Sequence, residues 1–192
     1  EDATTLAERL RAAGLATGAF VAAWVLDSKW GLAQGFDHYS DHFDLSKHKT
    51  LSLGSVQKRG DEVVNDALAW LEGVKDRRFF GWIHLYDPHT PYDPPEPYAS
   101  RYPRRPYVGE VAYTDEQVGR VLQWLRERGL DRRTIVVVVA DHGESLGEHG
   151  EETHSMFVYE AAIRVPLILW RPGVLPAGTV VALVGENGAG KT

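Results

Sequence analysis

Asp141 and His142 stand side by side in the stretch TIVVVVADHGESLGEHG, which runs from Thr134 to Gly150. One offers a hard carboxylate oxygen and the other an imidazole nitrogen, two donor types that a divalent metal accepts. Glu144, Glu148, His149, Glu151, Glu152 and His154 follow in the same loop, so acid and imidazole stay concentrated there. An Asp after a strand is commonly a helix cap, and a lone His is commonly a hydrogen-bonded surface residue. Placed together beyond so apolar a segment, and followed by two more histidines, they point to a site. A second candidate is His89 in Asp87-Pro88-His89-Thr90-Pro91-Tyr92. An imidazole there could give a proton to a leaving group or hold an anionic oxygen; it could equally be a turn residue fixed between prolines. His154 is open between a ligand-facing and a merely polar role.

The elements that must position these residues read as follows. Ile135 to Val139 is an unbroken β-branched run, the pattern of a central parallel strand buried on both faces. In open α/β sheets ligands bind beyond the carboxyl ends of the strands, where Asp141 and His142 fall. Gly143 is expected to let the backbone turn sharply there. Upstream, Thr5 and Glu8 have capping-box spacing for a helix carrying Leu6 and Leu10 and ending at Gly14. Thr17 to Val25 reads as a buried strand, and Asp61 to Leu71 as a helix with Val63, Val64, Ala67, Leu68 and Leu71 on its core face. Phe79 to Tyr86 is a second buried strand ending at the His89 segment, and within it His84 reads as a hydrogen-bonded core histidine. Val111, Val118, Val121, Leu122 and Leu125 mark an amphipathic helix up to Gly129, and Val165 to Trp170 another strand, with one more at Thr179 to Val184. Strands alternating with helices predict an α/β fold with a largely parallel sheet and helices on both faces. In such a sheet His89 and the Asp141/His142 pair leave the same edge.

Three histidines in the loop Asp27 to Lys49, His38, His42 and His48, share no strand edge or helical face and read as loop packing and solvated side chains. Arg101, Arg104 and Arg105, with Tyr102 and Tyr107, read as a solvated basic loop, or as a contact for an anionic substrate tail. The 192 residues carry a formal charge of -6, which argues against a nucleic-acid binder. No apolar run approaches the ~18 residues of a membrane span, and no signal peptide is read. The absence of cysteine removes disulfides and thiolate ligands from these residues. The chain opens on Glu1 and closes on Lys191-Thr192, and both ends read as cuts.

Several motifs carry a family resemblance: FFGWIHLYDPHTPYDPPEPY, then GEVAYTDEQVGRVL, then VVVADHGESLGEHGEETHSMFVYEAAIRVPLI, with TLAERLRAAGLATGAFV and LDSKWGLAQGFDHYSDHFD before them. In that order they resemble the sulfatase family of the alkaline-phosphatase-like superfamily, from about Thr4 to Gly178. The resemblance implies a sulfatase-like α/β domain over 1–178, incomplete, in which Asp141 and His142 match the second pair of metal ligands. It implies a divalent ion, Ca2+ foremost, with Mn2+, Mg2+ or Zn2+ as alternatives. His89 matches the histidine that contacts the sulfate or assists the leaving group, and His154 the place of a lysine or histidine on the same group. The implied partner is a small-molecule or carbohydrate sulfate ester, or a phosphate or phosphonate ester, and the implied location exported or periplasmic. Family members attack sulfur with a formylglycine made in a C/S-x-P-x-R motif. These residues contain none, since Ser100, Pro103 and Arg105 leave one residue too many between serine and proline. The isolated chain is therefore expected to be a partial catalytic core without turnover.

The segment 179–192 differs. Gly185 to Thr192 fits G-x-x-x-x-G-K-[ST], in which Gly185 and Gly190 let backbone amides wrap a phosphate, Lys191 reaches its outer oxygens and Thr192 binds Mg2+. It resembles the nucleotide-binding loop of ABC-transporter ATPases. The helix that should grip the phosphate would begin where the sequence stops. It therefore reads as a truncated or foreign tail, with ATP and Mg2+ binding as the alternative function. A third alternative is a sulfatase-like binding module without catalysis.

Overall fold

A computed structural model of the chain describes residues 3–47, 56–151, 153–154 and 157–173. Helix α1 (Leu6–Ala12) begins at a reciprocal cap: the Thr5 hydroxyl accepts the Glu8 amide at 3.1 Å, and the Glu8 carboxylate accepts the Thr5 amide at 2.8 Å. Two helix-end donors that would otherwise lack partners are thereby satisfied, as the spacing predicts. Strand β1 (Ala16–Val21) is buried along its whole length. It is the middle strand of a parallel sheet in the order β2-β1-β3, flanked by β2 (His38–Ser40) and β3 (Phe79–His84). Strand β2 lies inside the segment read as loop. It is too short for alternation to show, and side chains fix it: the Asp37 amide donates to Thr17 Oγ1 at 2.9 Å and the Thr17 amide to Asp37 Oδ2 at 3.1 Å.

Helix α2 (Gly60–Val74) buries Val63, Val64, Ala67 and Leu71, the face expected from their spacing. Phe20, Ala22, Val63 and Ala67 form the core, with Trp70, Ile83, Leu85 and Tyr86 packed against it. Each large side chain buried there is worth ~1.5–3 kcal/mol. Trp70 lies so close over β1 that a Cβ on Gly18 would stand 2.8 Å from its indole. After the short helix α3 (Tyr98–Arg101) comes α4 (Pro106–Glu127). It starts at a proline, which suits a first helical turn, and so takes in Tyr107 from the segment read as loop. Its buried face also differs from the expected valines. Gly109, Glu110, Tyr113, Gln117, Trp124 and Leu125 are buried, while Val111 is exposed.

The chain forms two compact units, residues 1–124 and 125–192. In the second, β4 (Val136–Val139) pairs antiparallel with β5 (Leu167–Trp170). This corrects the expectation of a central parallel strand buried on both faces. Burial alternates along β4, and Val137 is 54% exposed. A β-branched run specifies extended backbone without specifying how many of its faces are covered. The α/β architecture stands, with its parallel pairing in the three-stranded sheet. A short helix α5 (Glu160–Ile163) precedes β5.

The strand expected at Thr179 to Val184 and the phosphate-loop residues Gly185, Gly190, Lys191 and Thr192 lie outside the described residues, as do His48 and Glu152. Among the described residues no helix is long and apolar enough to cross a membrane.

Candidate active site

In residues 125–192 the loop after β4 is anchored through its backbone. The Gly143 amide donates to the Ala162 carbonyl at 2.8 Å. A Cβ on Gly143 would fall 2.0 Å from the Ala161 carbonyl oxygen and 2.9 Å from that of Arg164. Glycine is thus required for close approach of two backbone segments. A positive φ is found instead at Gly147, at 105°, and not at Gly143.

That contact fixes what precedes and follows it. His142 Nδ1 lies 2.7 Å from the Gly143 carbonyl oxygen. A carbonyl only accepts, so Nδ1 carries the proton and the neutral ring presents a lone pair at Nε2. Asp141 Oδ1 accepts the His142 amide at 3.0 Å and lies 3.8 Å from His142 Nε2. The His154 ring stacks on His142 with centroids 3.9 Å apart. His154 is oriented by Glu144, whose Oε1 accepts the His154 amide at 2.7 Å and its ring Nδ1 at 3.1 Å. The Glu144 side chain is only 6% exposed, in contrast to Asp141 at 84%. Asp141, His142 and His154 are therefore brought together by the fold, and Glu144, given no role by the sequence, organises one of them. Other members of the acidic run turn elsewhere: Glu148 accepts the Leu146 amide, Glu151 accepts the Phe157 amide, and His149 stacks on Tyr159 at 4.0 Å.

His89 belongs to residues 1–124, on the loop that follows β3. Its Nδ1 lies 2.7 Å from the Thr90 carbonyl oxygen, which again assigns the proton to Nδ1. Its Nε2 is 2.9 Å from the Tyr86 hydroxyl, and the two rings stack with centroids 4.1 Å apart. The His89 amide donates to Glu110. Glu110 is buried on α4, and burial lifts its carboxyl to about 7; the Asp93 and His89 amides pull it back, while the charges of Asp87 and Asp93 add to the rise. Burial likewise raises Asp87, whose Oδ2 accepts the Gly60 amide at 3.1 Å. Sequence reasoning missed Glu110. Its signal was present: an acid three and seven residues before Tyr113 and Gln117 shares their helical face. His84 is half-buried, and its Nδ1 accepts the Ala22 amide at 3.4 Å, in keeping with the expected core histidine.

A cleft of about 710 Å³ in the same unit is lined by His38, Ser40, His42, Lys58, Asp66 and Trp70, among others. His38 and His42 thus share a cleft that their spacing did not suggest. None of His89, Asp141, His142 or His154 lines it.

Asp141 and His142 fit a divalent cation by donor chemistry: one accessible oxygen, and one nitrogen whose lone pair is set by the Gly143 bond. Their 3.8 Å separation suits two ligands of one ion with bonds of ~2.0–2.5 Å. Among the described residues no group of three or more His, Asp or Glu side chains is arranged to hold a metal.

Comparison with known proteins gives one direction. The family model described as Sulfatase matches residues 1–187. Iduronate 2-sulfatase of Mus musculus is 46% identical over 155 residues, covering 76% of this chain and 27% of the relative. The chain therefore spans about a quarter of that relative's length. Among solved structures, a protein in complex with its substrate D-glucosamine-2-N,6-O-disulfate superposes with a TM-score of 0.67 at 22% identity, over 89% of this chain and 56% of that one. A phosphonate monoester hydrolase from Silicibacter pomeroyi gives 0.67 at 20% identity, over 91% and 54%. At these identities the structural likeness concerns the fold.

Proposed function

The chain belongs to the sulfatase family, and from that premise we propose that the protein hydrolyses sulfate esters, with Asp141 and His142 as two ligands of a divalent metal. The observation that carries this reading is the His142 ring, whose Nδ1 bond to Gly143 leaves Nε2 as a donor 3.8 Å from the Asp141 carboxylate. A bound metal would supply Lewis acidity toward the ester's oxygens and lower the pKa of the attacking group. Calcium is the first expectation from the family, and the mixed oxygen and nitrogen donors also suit Mn2+, Mg2+ or Zn2+.

His89 and His154 take the remaining roles. His154, held by Glu144 through its amide and Nδ1, orients its ring beside the proposed metal ligand His142. His89 carries its proton on Nδ1 and shares Nε2 with the Tyr86 hydroxyl, so a proton gained at Nε2 could be delivered to a departing alkoxide. The substrate class is a small-molecule or carbohydrate sulfate ester, with phosphate and phosphonate monoesters as chemical relatives. The 192 residues contain no C/S-x-P-x-R nucleophile motif, so the chain alone is a partial core and does not turn over.

Thermal melting of the chain with Ca2+ or Mn2+ tests the metal reading. Stabilisation by the ion that disappears in Asp141→Ala is expected; stabilisation retained in that variant overturns the assignment. Turnover of an aryl sulfate by the isolated chain would overturn the partial-core claim. Nucleotide binding rests on the Gly185-to-Thr192 spacing alone, and titration with ATP and Mg2+ is expected to release no heat.

A further inference from the structure

One buried carboxyl group grips the His89 loop at two points. Glu110 Oε2 accepts the His89 amide at 3.1 Å, and Oε1 accepts the Asp93 amide at 2.7 Å. Between these amides lie Thr90, Pro91 and Tyr92, and Pro91 has no N–H to give. Glu110 itself stands on α4, 3% exposed, one turn before Tyr113, whose hydroxyl is tied to Asp61 at 2.6 Å. The support for the loop is therefore a regular helix and not another loop. Each amide takes a different oxygen, and among side chains only a carboxylate offers two acceptor oxygens side by side. Glutamine would aim an NH2 group at one of the two donors.

The position is a costly one for an acid. A carboxylate buried without a cation loses much hydration, and the neighbouring charges facing Glu110 are Asp87 and Asp93. Arg59 is nearest to Asp93, at 3.4 Å. A loop needing only closure could satisfy these amides with backbone carbonyls or water, at lower desolvation cost. A loop that must hold an imidazole within a fraction of an ångström gains a great deal, because displacing a reacting group by about 1 Å costs on the order of 10²-fold in rate.

We propose that Glu110 is a positioning residue for His89, its two oxygens fixing the backbone from which the imidazole reaches the ester. The inference rests on the proposed role of His89 in ester hydrolysis. The grip on the loop can be measured without any catalysis.

The first measurement is ¹⁵N–¹H NMR of the 192-residue chain across pH. The His89 and Asp93 amide resonances are expected to titrate together, with a midpoint near the value of about 7 reached by Glu110. Glu110→Gln abolishes that shared titration and His89→Gln keeps it at Asp93, which separates the carboxyl from the imidazole. If the Asp93 amide titrates unchanged in Glu110→Gln, the grip is absent and the inference falls.

The second measurement uses the full-length parent enzyme with an aryl sulfate. Glu110→Gln is expected to lower kcat by roughly 10–100-fold, with KM changed little. Glu110→Asp, which keeps two oxygens on a shorter stem, recovers part of the loss. Equal kcat in wild type and Glu110→Gln would overturn the positioning role even with the NMR result in hand. A parent that hydrolyses no sulfate ester would instead overturn the functional reading, and the amide titration would then decide the grip by itself.

Discussion

In residues 1–124 the His89 imidazole hangs from a loop bound to a buried carboxyl of a 22-residue helix, beside a sheet whose central strand is wholly covered. In residues 125–192 Asp141 and His142 follow a four-residue strand with one exposed face, and the Asp141 carboxylate is open to solvent. The first arrangement gains precision from side-chain burial and a polar anchor beneath the loop. The second gains it from backbone meeting backbone at Gly143. Under the proposed roles, a proton-transferring His89 needs a fixed direction and a cation-binding pair needs an accessible lone pair, and the two supports suit those needs. Local stability should follow the same division, highest where apolar contacts are dense and lowest at the ribbon.

Substitutions can break this contrast at either end. The largest effect belongs to Phe20→Ala. Phe20 is 1% exposed and sits in the core cluster with Val63 and Ala67, so ~3–5 kcal/mol should be lost in urea unfolding followed by tryptophan fluorescence. Next comes Gly143→Ala, at about 2–3 kcal/mol, because its Cβ would collide with the Ala161 carbonyl oxygen at 2.0 Å and no flexible side chain can yield. That variant should also lose the response to divalent cations, since the His142 ring is oriented by the Gly143 carbonyl. Gly143→Ala melting like wild type would show that the second unit is not organised by this contact.

The anchor under His89 makes a pH-dependent prediction. Glu110 is raised from 4.5 to about 7 in the folded chain. Its proton therefore contributes stability in full below about pH 4.5, and that contribution is lost as pH rises through about 7. The size is at most ~3 kcal/mol. Unfolding free energies measured between these limits should fall with pH in wild type, and this part of the slope should vanish in Glu110→Gln. A slope identical in both would place the titration elsewhere.

Much of this was legible in sequence, and the exceptions share a physical cause. The capping box at Thr5, the core face of α2 and the buried runs of β1 depend on local spacing, which sequence displays directly. The adjacency of Asp141 and His142 at the end of a strand was legible for the same reason. Strand β4 was misread because VVVV has no polar residue to reveal which face is wet. Helix α4 was expected and Leu125 is buried as read, but its face was partly misjudged because it carries Glu110 and Gln117, and apolar spacing favours the valines instead. Glu110 escaped notice and Glu144 was given no role, since both act on backbone amides, whose partners are set by tertiary structure. Nor does a glycine's letter tell whether it serves a positive φ or a close approach, as Gly147 and Gly143 illustrate.

The smallest effect tests the open face itself. Val137 is 54% exposed on the alternating ribbon of β4 and β5, opposite Leu169. Truncating an exposed side chain leaves no cavity, and a two-stranded ribbon keeps its backbone bonds without it. Val137→Ala should therefore change stability by no more than ~0.5 kcal/mol, a reduction set mainly by the lower strand preference of alanine. Urea unfolding of this variant beside Phe20→Ala places the two units on one scale. A loss above ~2 kcal/mol for Val137→Ala would mean that this valine packs against something in solution, and the contrast between a covered sheet and an open ribbon would fail. A loss near zero leaves Gly143, rather than strand burial, as the feature that holds the Asp141 and His142 loop in shape.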